Sequence, residues 1–312
     1  MRRRFALVFN ASAGVAHPRL LKRVIERLEA VGATVEMLET ASSADATAQV
    51  RTLAMTKSVD AVIAAGGDGS IRAVAAGAAG SELAVGVIPL GTGNVLKHEI
   101  GLTSRASGIA QTLLNGPELK VRGGLVNGAP FFLMMGAGFD GRVVSQLNFR
   151  TKRALGRLAY AGPIVRTLLR GPDHLDVEID GAQYEASWVI VSKAAHYGGS
   201  FVLTRETQLG ANTLVAVLVE KKSRAAILNV SLSLALGRLA DPKKRPHGVK
   251  VIPATRVRIS SAAPVPVEVD GDEAGFTPVE ITAQGPEVRL IVPDAYVADV
   301  TKRHTNHVHS SS

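Results

Sequence analysis

The sequence predicts an N-terminal α/β domain built on a parallel sheet, followed by a mainly β C-terminal sandwich domain. Three observations predict it. Apolar runs at 5–9, 34–38, 61–64 and 84–88 alternate with helical patterns at 19–31, 44–55 and 70–79. Beyond Gly116-Pro117 the texture changes to short alternating strands separated by turn dipeptides. The chain has 312 residues, 46% of them apolar, enough to fill the cores of two domains.

In order, the run at 5–9 is a first buried strand. It follows Met1-Arg2-Arg3-Arg4 and precedes small residues, which mimics a signal peptide, but it falls short of the roughly 7–15 apolar residues that a signal requires. The helix at 19–31 places Leu20, Leu21, Val24, Ile25, Leu28 and Val31 on one face. A strand and helix alternating in this way give βαβ units, whose ligand loops lie at the carboxyl ends of the strands. The later strands are expected at 120–126, 131–135, 174–179, 187–191, 213–219, 257–259, 265–269 and 288–292. Asn127-Gly128, Asp180-Gly181 and Asp270-Gly271 mark hairpins among them. One helical stretch is expected at 139–169, and a further apolar segment runs 224–236. The domains are therefore read as 1–127 and 128–295, with a tail at 296–312 that ends disordered.

Composition removes several function classes. Without cysteine there is no disulfide framework, thiolate metal site or cysteine nucleophile. No apolar run approaches the roughly 20 residues of a spanning helix. A formal charge of +9 favours an anionic partner, which nucleotide phosphates, nucleic acid or an anionic bilayer all satisfy.

The chemistry is expected in three loops. Gly66-Gly67-Asp68-Gly69-Ser70 follows one strand and opens a helix, so its glycines admit a phosphate close to the backbone and the helix amides favour anions. Asp68 can hold a magnesium ion through water, or it can merely cap the helix. A second loop, Pro89-Leu90-Gly91-Thr92-Gly93-Asn94, ends the next strand. A third, Asn10-Ala11-Ser12-Ala13-Gly14, offers amides and hydroxyls at the same edge, where Thr40 also sits.

Taken with Gly136-Ala137-Gly138-Phe139-Asp140 and Val267-Glu268-Val269-Asp270-Gly271-Asp272, the order and spacing of these loops resemble the diacylglycerol kinase catalytic-domain superfamily. That superfamily includes bacterial lipid kinases and the sphingosine and ceramide kinases. NAD kinases and phosphofructokinases share the glycine-rich loop and the α/β fold, but the Pro89–Asn94 segment separates this chain from them. The resemblance implies ATP binding by Asn10, Ser12, Gly14, Thr40, Gly66, Gly67, Asp68, Gly69, Ser70, Arg72, Gly91, Thr92, Gly93 and Asn94, with Mg2+ at Asp68. It implies an acceptor-binding role for Asp140 and catalytic carboxylates at Asp270, Asp272 or Asp68. Asp272 stands where the family has Glu. Many bacterial members carry Asp-Gly-x-Leu-Asp around a structural magnesium; the nearest match here, Ala211-Asn212-Thr213-Leu214-Val215, lacks both carboxylates, so that accessory site is expected to be missing.

The acceptor is then expected to be a hydroxyl of a membrane lipid: diacylglycerol, a ceramide or sphingoid base, or a phosphatidylglycerol-like lipid. The segment from Arg142 to Arg170 has no acidic residue and interleaves cations such as Arg150, Lys152, Arg153 and Arg166 with apolar side chains. It is read either as a basic face on an anionic membrane surface or as a solvated helix whose apolar side packs inward. A cytoplasmic protein, peripheral on the inner face of the membrane, follows from the first reading. No nucleic-acid partner is expected, since no aromatic-rich strand platform is visible, and a homodimer is left open. The rival functions are phosphorylation of a soluble substrate in the manner of NAD kinases, and a non-catalytic basic nucleotide- or nucleic-acid-binding protein. The tail residues His304, His307 and His309 are read as part of the disordered end rather than as metal ligands.

Overall fold

The computed structural model describes residues 1–10, 17–147, 151 and 156–300. It divides into two compact units, Met1–Val121 with Glu287–Ser312, and Arg122–Pro286. Ser12, Gly14, Arg150, Lys152, Arg153 and the tail histidines lie outside the described residues.

The first unit is the α/β domain. Its elements are β1 (Arg4–Phe9), α1 (Pro18–Glu29), β2 (Thr34–Glu39), α2 (Ser43–Thr56), β3 (Ala61–Gly66), α3 (Asp68–Ala78), β4 (Ala84–Pro89), α4 (Val95–Glu99), α5 (Ala106–Asn115) and β5 (Glu118–Arg122). In α1 the buried residues Leu21, Val24 and Leu28 recur at helical spacing, and Pro18 starts the helix where its missing N–H costs nothing. Ser42 caps α2 by accepting from the Asp45 amide at 3.1 Å, while the Asp45 carboxylate accepts from the Ala41 amide at 2.9 Å. Strand β3 is buried throughout its apolar run, as a central parallel strand must be.

The sheet order is β2-β1-β3-β4-β20-β5, in which β20 (Glu287–Ile291) is the last strand of the chain. Strand β20 runs parallel to β4. The sequence reading divides the chain at 127 and 295; by compactness the chain leaves the first unit after Val121 and returns to it at Glu287. Burial explains the return. Val288, Leu290 and Ile291 are buried in this sheet, and the Arg289 guanidinium pairs with Glu82 and Glu118. Residues 294–300, expected as mostly tail, are helical. The single strand expected at 120–126 is divided, β5 lying in the first sheet and β6 (Gly124–Val126) in the second unit.

The second unit is a β-sandwich. One six-stranded sheet has the order β10-β9-β16-β19-β6-β7, formed by β6, β7 (Ala129–Phe131), β9 (Leu175–Ile179), β10 (Ala182–Ala186), β16 (Arg256–Ser260) and β19 (Val279–Thr282). The other has the order β15-β14-β11-β8-β17-β18, formed by β8 (Met134–Ala137), β11 (Trp188–Ser192), β14 (Leu214–Val219), β15 (Val249–Ala254), β17 (Pro266–Val269) and β18 (Asp272–Phe276). Alternate residues of both sheets, among them Phe131, Val177, Ile259, Met135, Val189 and Val267, form one buried cluster. The three Asx-Gly pairs take positive φ at both residues, as two-residue hairpin turns require: 47° and 81° at Asn127-Gly128, 47° and 91° at Asp180-Gly181, 50° and 85° at Asp270-Gly271.

A small hairpin, β12 (His196–Tyr197) with β13 (Phe201–Val202), stands apart from both sheets. The helices of this unit are α6 (Phe139–Val144), α7 (Ala161–Arg170), preceded by a 3-10 turn at Gly156–Tyr160, and α8 (Arg224–Ala235). The expected continuous helix at 139–169 is thus at least two pieces. Among the described residues no helix is long and apolar enough to cross a membrane.

Candidate active site

In the first unit, parallel pairing brings the carboxyl ends of β1, β3 and β4 to one edge, with Gly66 in register with Pro89 and Phe9 with Ala65. The two glycine loops converge there. The Leu90 amide donates to the Gly66 carbonyl at 2.9 Å. A Cβ on Gly91 would fall 2.5 Å from the Gly67 Cα, so only glycine permits the approach. Asn94 has a φ of 50°, and its side chain braces the second loop, accepting from the Gly91 amide at 3.0 Å and donating to the Gly91 carbonyl at 2.5 Å.

Asp68 has a use that neither sequence reading described. Its carboxylate accepts from the Val95 amide at 3.0 Å and the Leu96 amide at 3.2 Å, so it fastens the first turn of α4 to the start of α3. Thr40 is buried and its hydroxyl donates to the Phe9 carbonyl at 3.2 Å, tying the end of β2 to that of β1. Gly66, Gly67, Gly69, Ser70, Arg72, Gly93 and Asn10 are all half-buried around this edge, and Thr92 is exposed. A cavity of about 1080 Å³ adjoins Pro89 and Asn94; Arg19, Arg23, Arg27, Lys97 and Arg105 line it, with Glu26 the only carboxylate among the described residues. Such a wall favours polyanions.

In the second unit, Asp140 stands in the first turn of α6 and is 4% exposed. A Cβ on Gly136 would come within 2.6 Å of its Oδ2, so the glycine on β8 makes room for the carboxyl. The Tyr197 hydroxyl donates to Oδ1, whereas Oδ2 is buried without a partner, as is the indole N–H of Trp188. The Trp188 ring packs against Phe139 at 4.9 Å between centroids. Burial pushes the Asp140 carboxyl up to about 6, against the pull of Tyr197 and Trp188, and it pushes the Tyr197 hydroxyl well above its ordinary range.

Glu268 is the residue that the sequence reading left without a role. It lies on β17 in register with Gly136, is 4% exposed, and accepts from the Gly271 amide at 2.8 Å. Burial first, then the Asp140 charge, hold its carboxyl well above the usual range. Asp270 is turned the other way. Its carboxylate accepts from the amides of Phe132 at 3.0 Å, Leu133 at 2.9 Å and Met134 at 2.9 Å, clamping the turn between β7 and β8. Asp272, at the start of β18, is half-buried.

The Ala211–Val215 stretch contains a different cation. Lys193, wholly buried at the end of β11, donates through Nζ to the carbonyls of Ala211 at 2.6 Å and Thr213 at 3.2 Å. Burial, with Arg122 nearby, lowers its ammonium to about 8. Two carbonyls already taken by an ammonium do not suit a divalent ion. Of the expected basic face, Arg142 is turned inward to pair with Asp173, and the Arg166 side chain donates to Gln146 at 2.9 Å.

Comparison with known proteins gives these features a family. The model of the diacylglycerol kinase catalytic domain matches residues 4–126, and that of the YegS C-terminal NAD kinase beta sandwich-like domain matches residues 134–295. The chain belongs to the diacylglycerol kinase family. It is 25% identical to the diacylglycerol kinase of Bacillus subtilis (strain 168) over 299 residues, 93% of this chain and 97% of that one. It is 26% identical to the diacylglycerol kinase of Staphylococcus aureus (strain MRSA252) over 306 residues, 95% of each chain. An uncharacterized protein of Synechocystis is 25% identical over 236 residues, and this family member spans only 54% of its length. A solved structure of a diacylglycerol kinase from Bacillus anthracis str. Sterne superposes with a TM-score of 0.68 at 18% identity, over 95% of this chain and 98% of that one, a likeness of fold.

Proposed function

We propose that this kinase transfers the γ-phosphoryl group of ATP to the free hydroxyl of a diacylglycerol-type membrane lipid. The observation that carries the acceptor half is Asp140: a buried carboxylate whose Oδ1 is held by Tyr197 and whose Oδ2 makes no hydrogen bond of normal geometry, although Trp188 pulls on the carboxyl. A buried carboxylate so weakly supported is costly, and a substrate hydroxyl donating to it lowers the cost. Relatives named diacylglycerol kinase, matched along nearly their whole length, make diacylglycerol the first acceptor to test.

The amides at the start of α3 and the loop Gly91–Asn94 hold the phosphates, with Arg72 beside them. A magnesium ion, when bound, neutralises charge on the β- and γ-phosphates, and Asp68 fits that use. Asp68 stands where the two glycine loops meet, and magnesium commonly binds through water, one or two carboxylates and phosphate oxygens. In the transfer, the lipid oxygen forms a bond to the γ-phosphorus as the bond to the β-bridging oxygen breaks, and ADP leaves. Asp140 orients the attacking hydroxyl. Asp272 takes its proton, since Asp270 already accepts from three amides.

The test is incubation with labelled ATP, magnesium and vesicles containing diacylglycerol, ceramide or phosphatidylglycerol, with NAD in the same buffer. Labelled phosphatidate is expected. Label in NAD alone, or in no product, would overturn the proposal.

A further inference from the structure

Single apolar side chains on a folded surface are ordinary, whereas a contiguous group of them calls for a partner. In the β-rich unit such a group gathers on neighbouring elements. α8 exposes Leu228, Leu232 and Leu236, each four residues from the next, while Ile227, Val230 and Leu234 of the same segment are buried. This helix carries leucines on two sides, and only one is covered. α7 packs against α8 and exposes Val165 and Leu169. β13 also packs against α8, and its Phe201 is 38% exposed.

A helix turned to water carries charge on its outer face, but α8 carries none between Ala225 and Leu236. Its cations stand at the two ends instead. Lys221 precedes it, Arg224 is its first residue, Arg238 and Lys243 follow it, all are exposed, and the stretch 221–240 contains no carboxylate. A leucine stripe with basic ends is the pattern of a helix lying in an anionic lipid interface. A further connection gives this surface a purpose. Phe201 is paired in register with Tyr197, whose hydroxyl donates to Asp140. Phe201 of this face is thus the cross-strand neighbour of the tyrosine that holds the carboxylate read as the acceptor site.

We propose that α8, the exposed edge of α7 and Phe201 form a docking surface for an anionic bilayer. Leu228, Leu232, Leu236 and Phe201 enter the acyl boundary, and the flanking cations meet the headgroups. The inference rests on the lipid-kinase reading for its purpose, but its readout does not require turnover. It keeps only the α7 end of the basic segment 142–170 in the membrane contact and centres that contact on α8.

The experiment is co-sedimentation of the full chain with phosphatidylcholine vesicles, with and without phosphatidylglycerol. The wild type should partition onto the mixed vesicles, and Leu228→Glu with Leu232→Glu should lower partitioning about tenfold or more, since two apolar side chains are withdrawn from the interface. The thermal midpoint should hold, because both side chains are already exposed. Leu236→Ser is the milder second variant should the pair fail to fold. Equal binding by wild type and variants, or no binding of the wild type to the mixed vesicles, overturns the proposal even if diacylglycerol is phosphorylated. A dimer in light scattering that these substitutions disperse assigns the face to a second copy and overturns it too. Leucine-dependent binding with no lipid labelled leaves the surface standing and removes the lipid-kinase reading.

Discussion

Asp270 and Asp272 are two residues apart and should respond differently to removal. Asp270→Ala strands three buried amides, so we expect a loss on the order of 3 kcal/mol in denaturant unfolding. Asp272→Asn should leave stability intact and lower kcat about 100-fold or more, the usual scale of a lost proton acceptor. Similar kcat losses in both variants, with unchanged stability, would remove the division of labour proposed for them. Asp140 predicts a pH effect. Its carboxyl titrates at about 6 and is ionised above that, so kcat/KM should fall as pH drops through about 6. Tyr197→Phe removes a donor to the ionised form and should move that limb to higher pH; an unmoved limb would detach Tyr197 from the site. The glycines and Asx-Gly turns were legible because few other residues tolerate their backbone. Glu268 was not: between Val267 and Val269, strand alternation reads it as facing solvent. Tyr197 and Lys193 were equally hidden, since Asp140 lies 57 residues from the first and Ala211 lies 18 from the second.

At the scale of elements, the convergence of the two glycine loops is the feature most open to test. In Gly91→Ala the new methyl meets backbone, not a flexible side chain, so the loops must part. We expect the KM for ATP to rise about tenfold or more, while the KM for the lipid holds, because the acceptor carboxylates belong to another unit. An unchanged nucleotide KM would remove the loops from the ATP site. The βαβ order was readable because α1 has a clean helical period and β3 is one unbroken apolar run. The break after β5 was not, because residues 120–126 keep an extended pattern across Gly123-Gly124 while the chain changes sheets. Nor did the sequence reveal the two-faced α8, since a helix with apolar residues on both sides reads simply as an apolar segment.

At the scale of the molecule, the first unit is discontinuous in sequence. β20 lies between β4 and β5, so a chain ending at Pro286 leaves a gap inside the N-terminal sheet. Such a truncation should lose cooperative thermal unfolding in the nucleotide-binding unit; a normal transition would contradict that dependence. The fold class was legible from alternation alone, but the return of residues 287–291 was not, because a short apolar strand does not say which sheet it joins.

The ammonium of Lys193 arrives with the polypeptide, whereas an ion must be captured from solution. The carbonyls it gathers are held by a charge that chelation does not remove. Chelation should therefore stop phosphoryl transfer and leave the melting temperature of the β-sandwich where it was. Growth in magnesium-poor conditions would then slow this enzyme without thinning its population.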